Sequence, residues 1–375
     1  MIYFLRVLKS VFRLKHSIAY FRKLKDFANY TSCQNAPPLR LQIELVSICN
    51  YRCKFCYLGQ YKRAKKILSL ENVKKILNES QAKYIQLSGI GESFLHPEIK
   101  KIMAYAKKGG RVVKITTNGF LMTEDICRAI IDSQIDIIDL SIDTTNPELY
   151  KDIRLGGNLN RVLGNVETLA TYRNKKKSKL IIRAVFVYSG KNISYLVNDI
   201  ENVSNMPFFD EISLGLVEKL ISKSESHNEL SADEILNYIT EAAIKARSIG
   251  RTDFIKALNI FEATLLASEK QSALPAKKLC YSPLYSPYVM IDGTLLASCA
   301  SAMWALENPP QSAALKMGNV LEQDFASVWN SSKSISVRQA VINKRECTPF
   351  CKHCKYDENI IFKFINKFSR LFVLR

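Results

Sequence analysis

Three cysteines, Cys49, Cys53 and Cys56, are separated by three and then two residues, and they follow directly on an extended apolar run at 41–46. Such a run is typical of a strand, so the thiols are expected in a loop at its C-terminal end. Three thiols cannot pair evenly as disulfides, and a tetrahedral zinc ion would still lack its fourth protein ligand. A cubane iron–sulfur cluster takes four cysteines, so a triad leaves one iron open for a small molecule. The spacing therefore predicts chemistry at that open iron.

The triad resembles the signature of the radical S-adenosylmethionine (radical SAM) superfamily, which has three cysteines at this spacing and an aromatic residue before the last one, here Phe55. The resemblance implies that Cys49, Cys53 and Cys56 hold a [4Fe–4S] cluster whose fourth iron is chelated by SAM. One electron from the reduced cluster would cleave SAM to methionine and a 5′-deoxyadenosyl radical, which abstracts hydrogen from a substrate. The protein then binds and orients the reactants and excludes side reactions. A partial zinc knuckle is the alternative.

Strand and helix patterns alternate between residues 41 and 217. The candidate strands are rich in leucine and β-branched residues and lie at 41–46, 84–88, 112–117, 137–142, 180–187 and 211–217. The amphipathic segments between them lie at 70–82, 98–108, 123–134, 160–173 and 192–204. Such repeats, joined by right-handed crossovers, predict an α/β fold, namely a partial (β/α)6 TIM-like barrel of the radical SAM type. Active residues of such barrels gather at the C-terminal ends of the strands.

A glycine-rich turn follows the second predicted strand. It carries Gly89, Gly91 and Glu92 and resembles the glutamate-ended turn that holds the SAM amino group in this superfamily. Glycines allow a close approach of the backbone, and a carboxylate accepts hydrogen bonds from an ammonium group. Ser93 stands where the superfamily often has proline. The turn is thus expected to bind one end of SAM.

Three further residues are candidates through the same resemblance. Asn118 and Ser141 end the third and fourth strands, and they would reach the ribose hydroxyls or the methionine carboxylate of SAM. Arg154 matches an arginine that related enzymes aim at the SAM carboxylate, a task suited to a planar, permanently charged donor. A solvated surface arginine is the alternative. Asp143 either belongs to the polar strand end or caps the next helix.

Five more cysteines surround a hairpin signal at 291–294, and they are Cys280, Cys299, Cys347, Cys351 and Cys354. They resemble the SPASM or shorter twitch extension of radical SAM enzymes, a small domain that houses auxiliary [4Fe–4S] clusters. The resemblance implies one auxiliary cluster here, held by Cys280, Cys299, Cys351 and Cys354, with Cys347 as the competing ligand. Five residues separate Gly293 from Cys299 where four is usual, which leaves the register of that ligand open. A zinc ribbon is the alternative.

The charge balance bears on possible partners. A net charge of +19 invites a nucleic-acid-binding function, but residues 1–40 hold eight basic residues against one acidic, and residues 344–375 hold eight against three. More than half of the excess charge therefore lies outside the predicted catalytic core, and no nucleic-acid partner is expected. A non-enzymatic iron–sulfur or zinc protein that binds nucleic acid is the remote alternative.

Both ends of the chain are basic and amphipathic. Charges interrupt the apolar residues of the N-terminal segment too often for a transmembrane helix or a signal peptide. Peripheral contact with a membrane surface is one interpretation, and helices packed on the barrel are the other. Eight of the ten cysteines lie in these two groups of candidate metal ligands, which indicates a reducing compartment, so a cytoplasmic location is expected, with or without membrane association.

The sequence thus predicts five segments. They are a basic N-terminal extension at 1–38, the radical SAM barrel at 39–217, a helical bridge or lid at 218–279, the auxiliary cluster domain at 280–357 and a basic tail at 358–375. The predicted enzyme oxidises or rearranges a small metabolite or carbohydrate, because one-cluster twitch enzymes often do so. The alternative is a maturase that modifies a peptide or protein side chain. An electron donor such as flavodoxin or ferredoxin is the expected redox partner.

Overall fold

The computed structural model describes residues 37–56, 58, 64–216, 230–251, 286–307 and 316–342, with isolated residues between 254 and 265. Its strands are β1 (Arg40–Ile43), β2 (Arg52–Cys53), β3 (Tyr84–Leu87), β4 (Val112–Thr117), β5 (Ile137–Ser141), β6 (Arg154–Leu155), β7 (Ile181–Tyr188), β8 (Glu211–Leu216), β9 (Tyr288–Val289), β10 (Thr294–Leu296) and β11 (Lys316–Asn319). Its α-helices are α1 (Leu70–Ser80), α2 (Ile99–Ala106), α3 (Glu124–Asp132), α4 (Pro147–Ile153), α5 (Leu159–Lys175), α6 (Leu196–Ser204), α7 (Ala232–Ser248), α8 (Cys299–Glu307), α9 (Phe325–Trp329) and α10 (Ser332–Ile342).

One sheet runs through the described part of the chain in the order β11-β10-β9-β1-β3-β4-β5-β7-β8. From β1 to β8 all neighbouring strands of this sheet are parallel, with a helical connection between successive strands. The C-terminal ends of these six strands consequently lie on one edge of the sheet. The predicted partial (β/α)6 barrel is confirmed, and the six predicted strands and five predicted helices are all present.

The two faces of the parallel sheet differ in polarity. In β4, Val113 and Ile115 are inaccessible to solvent and belong to the hydrophobic core. Lys114 and Thr116 alternate with them and lie on the opposite face, because successive side chains of a strand point to opposite sides. The apolar face packs against the helices, so the polar face lines the interior of the barrel.

A ladder of buried ion pairs crosses this interior. Lys114 on β4 and Arg183 on β7 both contact Asp139 on β5, with N–O distances of 2.7 and 2.6 Å, and Arg183 lies 3.7 Å from Glu211 on β8. Burial alone would raise the pKa of Asp139, but the two cations hold it below its usual range. Because a lone buried charge is costly, the alternating signs let four ionisable groups occupy the interior together.

Polar side chains fix the start of the helices that flank the barrel. The hydroxyls of Ser69 and Thr123 accept hydrogen bonds from the backbone N–H groups of the first turns of α1 and α3. Asn146 and Asn158 cap α4 and α5 in the same way, and Pro147 follows Asn146 at the first position of α4. These residue types satisfy backbone donors that a helix leaves unpaired at its N-terminus.

The hairpin predicted at 291–294 is confirmed and extends the barrel sheet. β9 and β10 pair antiparallel, and Gly293 in their turn has φ +85°, a conformation that favours glycine. β9 also pairs in parallel with β1, with Gln42 opposite Tyr288. The C-terminal region is therefore joined to the barrel by backbone hydrogen bonds at the strand that precedes the cysteine triad.

In the connection from β5 to α5, two elements were not predicted from the sequence, namely α4 and the two-residue strand β6. They lie between β5 and α5, where an ordinary barrel repeat has a single helix. β6 pairs antiparallel with β2 as a separate ribbon, which carries Cys53. Across the described residues, the helices are each too short or too polar to span a bilayer.

Candidate iron–sulfur and SAM site

The cysteine triad lies where the sequence predicts it, in the loop after β1. Val46 forms an isolated antiparallel bridge with Ile67, which closes the base of this loop. Cys49, Cys53 and Cys56 are all half-buried, and the Cys56 N–H donates to the carbonyl of Cys53 at 3.0 Å. The turn between the last two cysteines is thus held by the backbone, while the thiols stay partly accessible.

Neutral N–H groups surround the first thiol, Cys49. Its Sγ lies 3.4 Å from the backbone nitrogen of Tyr51 and 3.8 Å from Nδ2 of Asn118. Burial raises the pKa of Cys49 to about 11, and the Tyr51 N–H opposes this shift. The protein alone therefore favours a protonated thiol, and bound iron would be needed to hold the thiolate.

A buried ion pair lies beside the second thiol, Cys53. Cys53 on β2 is paired with Arg154 on β6, and Nη2 of Arg154 lies 2.5 Å from Oδ2 of Asp143. Burial raises the pKa of Cys53 to about 12, and the positive charge of Arg154 opposes the shift. Arg154 is 5% exposed, so the alternative of a solvated surface arginine is wrong.

The segment that carries Arg154 is fastened to the cysteine loop. The Lys54 N–H donates to the carbonyl of Ile153 at 2.9 Å, and the hydroxyls of Tyr51 and Tyr150 lie 3.4 Å apart. Among the described residues, Nε of Arg154 is buried without a hydrogen-bond partner. A buried donor next to the thiols is suited to an anionic ligand, because leaving it unpaired costs free energy. The expected contact between Arg154 and the SAM carboxylate stays a prediction.

Asp143 does not cap a helix, so that alternative from the sequence is wrong. Asn146 caps α4 instead, since its Oδ1 accepts from the N–H of Leu149 at 2.9 Å. Asp143 is inaccessible to solvent, and its Oδ1 accepts from the N–H of Val187 at 2.9 Å. It therefore belongs to the polar strand ends, as the partner of Arg154.

The glycine-rich turn approaches the cysteine loop itself. A Cβ on Gly91 would lie 2.2 Å from the carbonyl oxygen of Val46, and a Cβ on Gly89 would lie 2.5 Å from Cγ of Glu44. The Glu92 N–H donates to the carbonyl of Ile48 at 2.8 Å. The glycines are thus required by contact with the protein's own chain, which draws the turn against the loop of the thiols.

Glu92 is buried at the meeting point of this turn and β4. Its carboxylate accepts hydrogen bonds from Oγ1 of Thr117 at 2.8 Å and from the N–H groups of Asn118 and Phe94 at 2.9 and 3.2 Å. Burial raises its pKa, and these hydrogen bonds oppose the shift. Much of its acceptor capacity is consequently used within the protein. Its expected contact with the SAM amino group stays a prediction.

The other predicted SAM contacts lie on the same edge of the sheet. Ser141 is the half-buried last residue of β5, and Phe55 is half-buried in the turn between Cys53 and Cys56. Asn118 directly follows β4 and is 6% exposed. The structure therefore brings the N-terminal candidates together, while their individual roles toward SAM stay predictions.

Two residues at this site were missed in the sequence. Glu44 is fully buried, and its carboxylate accepts from the N–H groups of Ile90 at 3.3 Å and Ile291 at 3.1 Å, which joins the glycine turn to the C-terminal hairpin. An acidic residue within an apolar strand was the available signal. Asn50 lies beside Cys49, and its Oδ1 accepts from Nδ2 of Asn118 at 2.9 Å. Nothing in its sequence position distinguishes it from a loop asparagine.

Among the C-terminal candidates, Cys299 is the one that falls within the described residues. It is the exposed first residue of α8, three residues after β10. Cys280, Cys347, Cys351 and Cys354 lie outside the described residues, so the ligand set expected for an auxiliary cluster stays a prediction.

The donor set of the triad fits a cubane cluster. Among the described residues, no three His, Cys, Asp or Glu side chains lie close enough together to ligate one metal ion. A cubane makes a different demand, because each cysteine binds its own iron at a separate corner. Three half-buried thiols on one loop, with a cation beside one of them, meet that demand.

Models of two protein families match the chain. The radical SAM superfamily model covers residues 43–200, and the model described as an iron–sulfur cluster-binding domain, SPASM, covers residues 280–355. The chain thus carries a radical SAM domain followed by a SPASM domain. The family expected from the cysteine spacing is confirmed, and with it the iron–sulfur and SAM cofactor class.

Curated relatives match parts of the chain. An uncharacterized protein of Methanocaldococcus jannaschii is 29% identical over 236 residues, which cover 62% of this chain and 69% of that protein. A probable GTP 3′,8-cyclase of Methanococcus maripaludis is 30% identical over 131 residues, which cover 34% of this chain and 43% of that protein. The match thus spans less than half of the cyclase, and the cyclase activity is not transferred by it.

Solved structures show the same fold. Streptococcus suis SuiB bound to its precursor peptide SuiA has a TM-score of 0.58 at 18% identity, covering 85% of this chain and 69% of SuiB. Native anSMEcpe with bound AdoMet and a peptide has a TM-score of 0.57 at 17% identity, covering 85% of this chain and 87% of that chain. At this level of identity the likeness concerns the fold alone.

Proposed function

We propose that this radical SAM protein cleaves SAM reductively and abstracts a hydrogen atom from a small metabolite or carbohydrate. The observation that carries the proposal is the half-buried triad of Cys49, Cys53 and Cys56 at the C-terminal edge of the barrel, beside the buried Arg154. When bound, the cluster supplies the electron for SAM cleavage. The residues of the chain hold the thiols, bring a cation to them and line the barrel interior.

The barrel interior supports a small substrate. The residues that face the interior toward the C-terminal ends of the strands include Thr116, Ser141 and Ser213, and each of them is half-buried. Their neighbours Ile115 and Leu140, which face the helices, are fully buried. Asp139 of the ion-pair ladder pairs with Thr116 and lies one interior position before Ser141 on β5. The hydroxyls of Ser141 and Ser213 thus lie one interior position beyond the paired charges, on either side of Val185.

Modification of a peptide or protein side chain is the second candidate. It is favoured by the similarity of the fold to SuiB and anSMEcpe, both of which were solved with bound peptides. The name of the probable GTP 3′,8-cyclase, by contrast, points to a small-molecule substrate for that relative. The neighbouring genes offer a further distinction: a short precursor-peptide gene favours the second candidate, and sugar-nucleotide genes favour the first.

The test of SAM cleavage uses protein reconstituted anaerobically with iron and sulfide. With dithionite and SAM, the wild type is expected to form 5′-deoxyadenosine, and a variant with Cys49, Cys53 and Cys56 changed to Ala is expected to form none. Cys127→Ala is the matched control, because Cys127 is a buried thiol of α3 whose Sγ contacts the carbonyls of Met122 and Asn165. Undiminished 5′-deoxyadenosine from the triad variant would refute the proposal.

The C-terminal cysteines are proposed to carry one auxiliary cluster that accepts or conducts electrons. Two cubanes correspond to about eight irons per chain, and removal of the triad should leave about four. Zinc in place of the remaining iron would indicate a zinc ribbon, and about twelve irons in the wild type would indicate two auxiliary clusters. The electron donor is proposed to be a flavodoxin or ferredoxin in the cytoplasm.

Peripheral membrane contact through the basic ends stays part of this proposal. Both ends lie outside the described residues. Each basic residue near an anionic surface contributes about 1 kcal/mol, so vesicle binding should weaken as salt rises. Flotation with anionic liposomes at low salt measures it, and association that persists unchanged after deletion of both ends would contradict it.

A further inference from the structure

The side-chain amide of Asn118 has a fixed orientation. Its Oδ1 accepts from the backbone N–H of Phe120 at 3.0 Å, and that N–H can only donate. The amide nitrogen must therefore point to the other side, where it lies 2.9 Å from Oδ1 of Asn50 and 3.8 Å from Sγ of Cys49. Asn118 is also held by its own backbone N–H, which donates to Glu92 at 2.9 Å. Its amide N–H groups are consequently aimed at the Cys49 corner of the triad.

The orientation of Asn50 follows from that of Asn118. Because Oδ1 of Asn50 accepts the Asn118 amide, Nδ2 of Asn50 must face away from it. Among the residues that the structure describes, this nitrogen is buried and has no hydrogen-bond partner. Leaving a buried donor without an acceptor costs free energy. Sγ of Cys49 lies 3.9 Å from Oδ1 of Asn50, so Asn50 presents its amide oxygen to this corner and holds the Asn118 amide in place.

We propose that Asn118, held in its orientation by Asn50, donates an N–H···S hydrogen bond at the Cys49 corner of the cluster and thereby raises its reduction potential. Reduction adds a negative charge that is shared among the irons and sulfurs. Donors aimed at the sulfurs stabilise that charge, and hydrogen bonds to sulfur are among the factors that set cluster potentials. Asn50 acts through Asn118 and is a positioning residue in this proposal. Asn118 thus acts on the thiolate, which differs from the contact with SAM that its place in the motif suggested.

This inference rests on the proposed function, since it requires a cluster at the triad. Its test compares Asn118→Leu and Asn50→Leu with the wild type, all as full-length reconstituted protein. Asn165→Leu is the matched control, because Nδ2 of Asn165 donates to the carbonyls of Gly119 and Phe120 in the same loop. The midpoint potential is measured by a redox titration in which electron paramagnetic resonance (EPR) follows the signal that changes when SAM is added. The dissociation constant for SAM is measured on the same proteins.

The expected result is a lower midpoint potential in Asn118→Leu and in Asn50→Leu, with the midpoint of Asn165→Leu unchanged. Unchanged midpoints with weaker SAM binding would overturn the inference and assign Asn118 to SAM. An equal shift in Asn165→Leu would overturn it as a general disturbance of the loop. If Asn118→Leu does not take up the cluster, the midpoint potential of Asn50→Leu is the deciding measurement. Absence of any SAM-responsive signal in the wild type would instead refute the proposed function.

Discussion

Two buried aspartates flank the turn after β5, and they are stabilised by different kinds of partner. Asp143 is paired with the guanidinium of Arg154, which lies beside Cys53. Asp199, on α6, has neutral donors: the hydroxyls of Thr144, Thr145 and Tyr188 and the N–H of Thr145. The first carboxylate holds a cation next to the thiols, whereas the second ties the turn to α6 and β7. The kind of partner thus separates a group of the site from a group of the scaffold.

The pKa values of both carboxyls are raised, and different groups oppose the shift. Burial raises the pKa of both carboxyls. Arg154 opposes the shift at Asp143, whereas hydrogen bonds oppose it at Asp199, whose pKa reaches about 6. Its ordinary value is 3.8. Hydrogen bonds from neutral groups therefore do not restore the acidity that burial removes. Arg154 does not restore it at Asp143 either, since the pKa of that carboxyl is also raised.

The largest effect is expected at the ion pair. Arg154→Met leaves Asp143 as a buried charge without its partner, and loss of one member of such a pair destabilises by about 3–5 kcal/mol. Adding Asp143→Asn removes the stranded charge, and Asn tolerates the positive φ of +66° at this position. Chemical denaturation should therefore show partial recovery in the double variant. If the free energy of unfolding lost in the double variant equals the sum of the losses in the two single variants, a direct coupling between the residues is contradicted.

The pH dependence of stability should identify Asp199. Its folded-state pKa lies above the value in an unfolded chain, so folding favours the protonated form, and its stabilising contribution is present near pH 4 and lost as pH rises to about 6. A shift of this size corresponds to about 3 kcal/mol. Asn cannot titrate, so the destabilisation by Asp199→Asn should be largest near pH 4 and should shrink toward pH 7. Urea unfolding at several pH values measures the difference in the free energy of unfolding between the wild type and Asp199→Asn. A difference that does not change with pH would contradict this account.

A smaller effect is expected at Tyr188, whose hydroxyl donates to Oδ2 of Asp199 at 3.1 Å. Tyr188→Phe removes one neutral hydrogen bond, which contributes about 0.5–1.5 kcal/mol. Because that bond favours the charged carboxylate, its loss should move the pH window of Asp199 upward. The same denaturation series detects the shift, and a downward movement would show that Tyr188 supports the protonated form instead.

Much of the architecture could be predicted from the sequence. The parallel barrel followed from strands such as 112–117 and from helices such as 123–134, because these elements have clear periodicity. The ribbon of β2 and β6 could not be predicted, since two-residue strands have no periodicity and form only through contact with a distant segment. The pairing of Asp143 with Arg154 could not be predicted either, although both residues were candidates, because spacing along the chain does not show which side chains meet. Turn chemistry favours Asp143 as a helix cap, but Asn146 takes that position.

The roles of the glycine turn were only partly visible in the sequence. Close approach was correctly expected at Gly91, but the structure shows that the approach is to the carbonyls of the cysteine loop. Sequence spacing cannot tell a contact with a ligand from a contact with the protein's own backbone. Glu44 was missed for a related reason, because the hairpin residue it binds, Ile291, is far along the chain.

The central claim, that the triad holds a cluster with one open iron, is tested most directly by EPR of the reduced protein with and without SAM. The account predicts that SAM changes the spectrum of the wild type and of Cys127→Ala, because it reaches the open iron. In the variant with Cys49, Cys53 and Cys56 changed to Ala, the remaining signal should not respond to SAM, since a cubane with four protein ligands has no open iron. A SAM-dependent change that persists in the triad variant would contradict the claim.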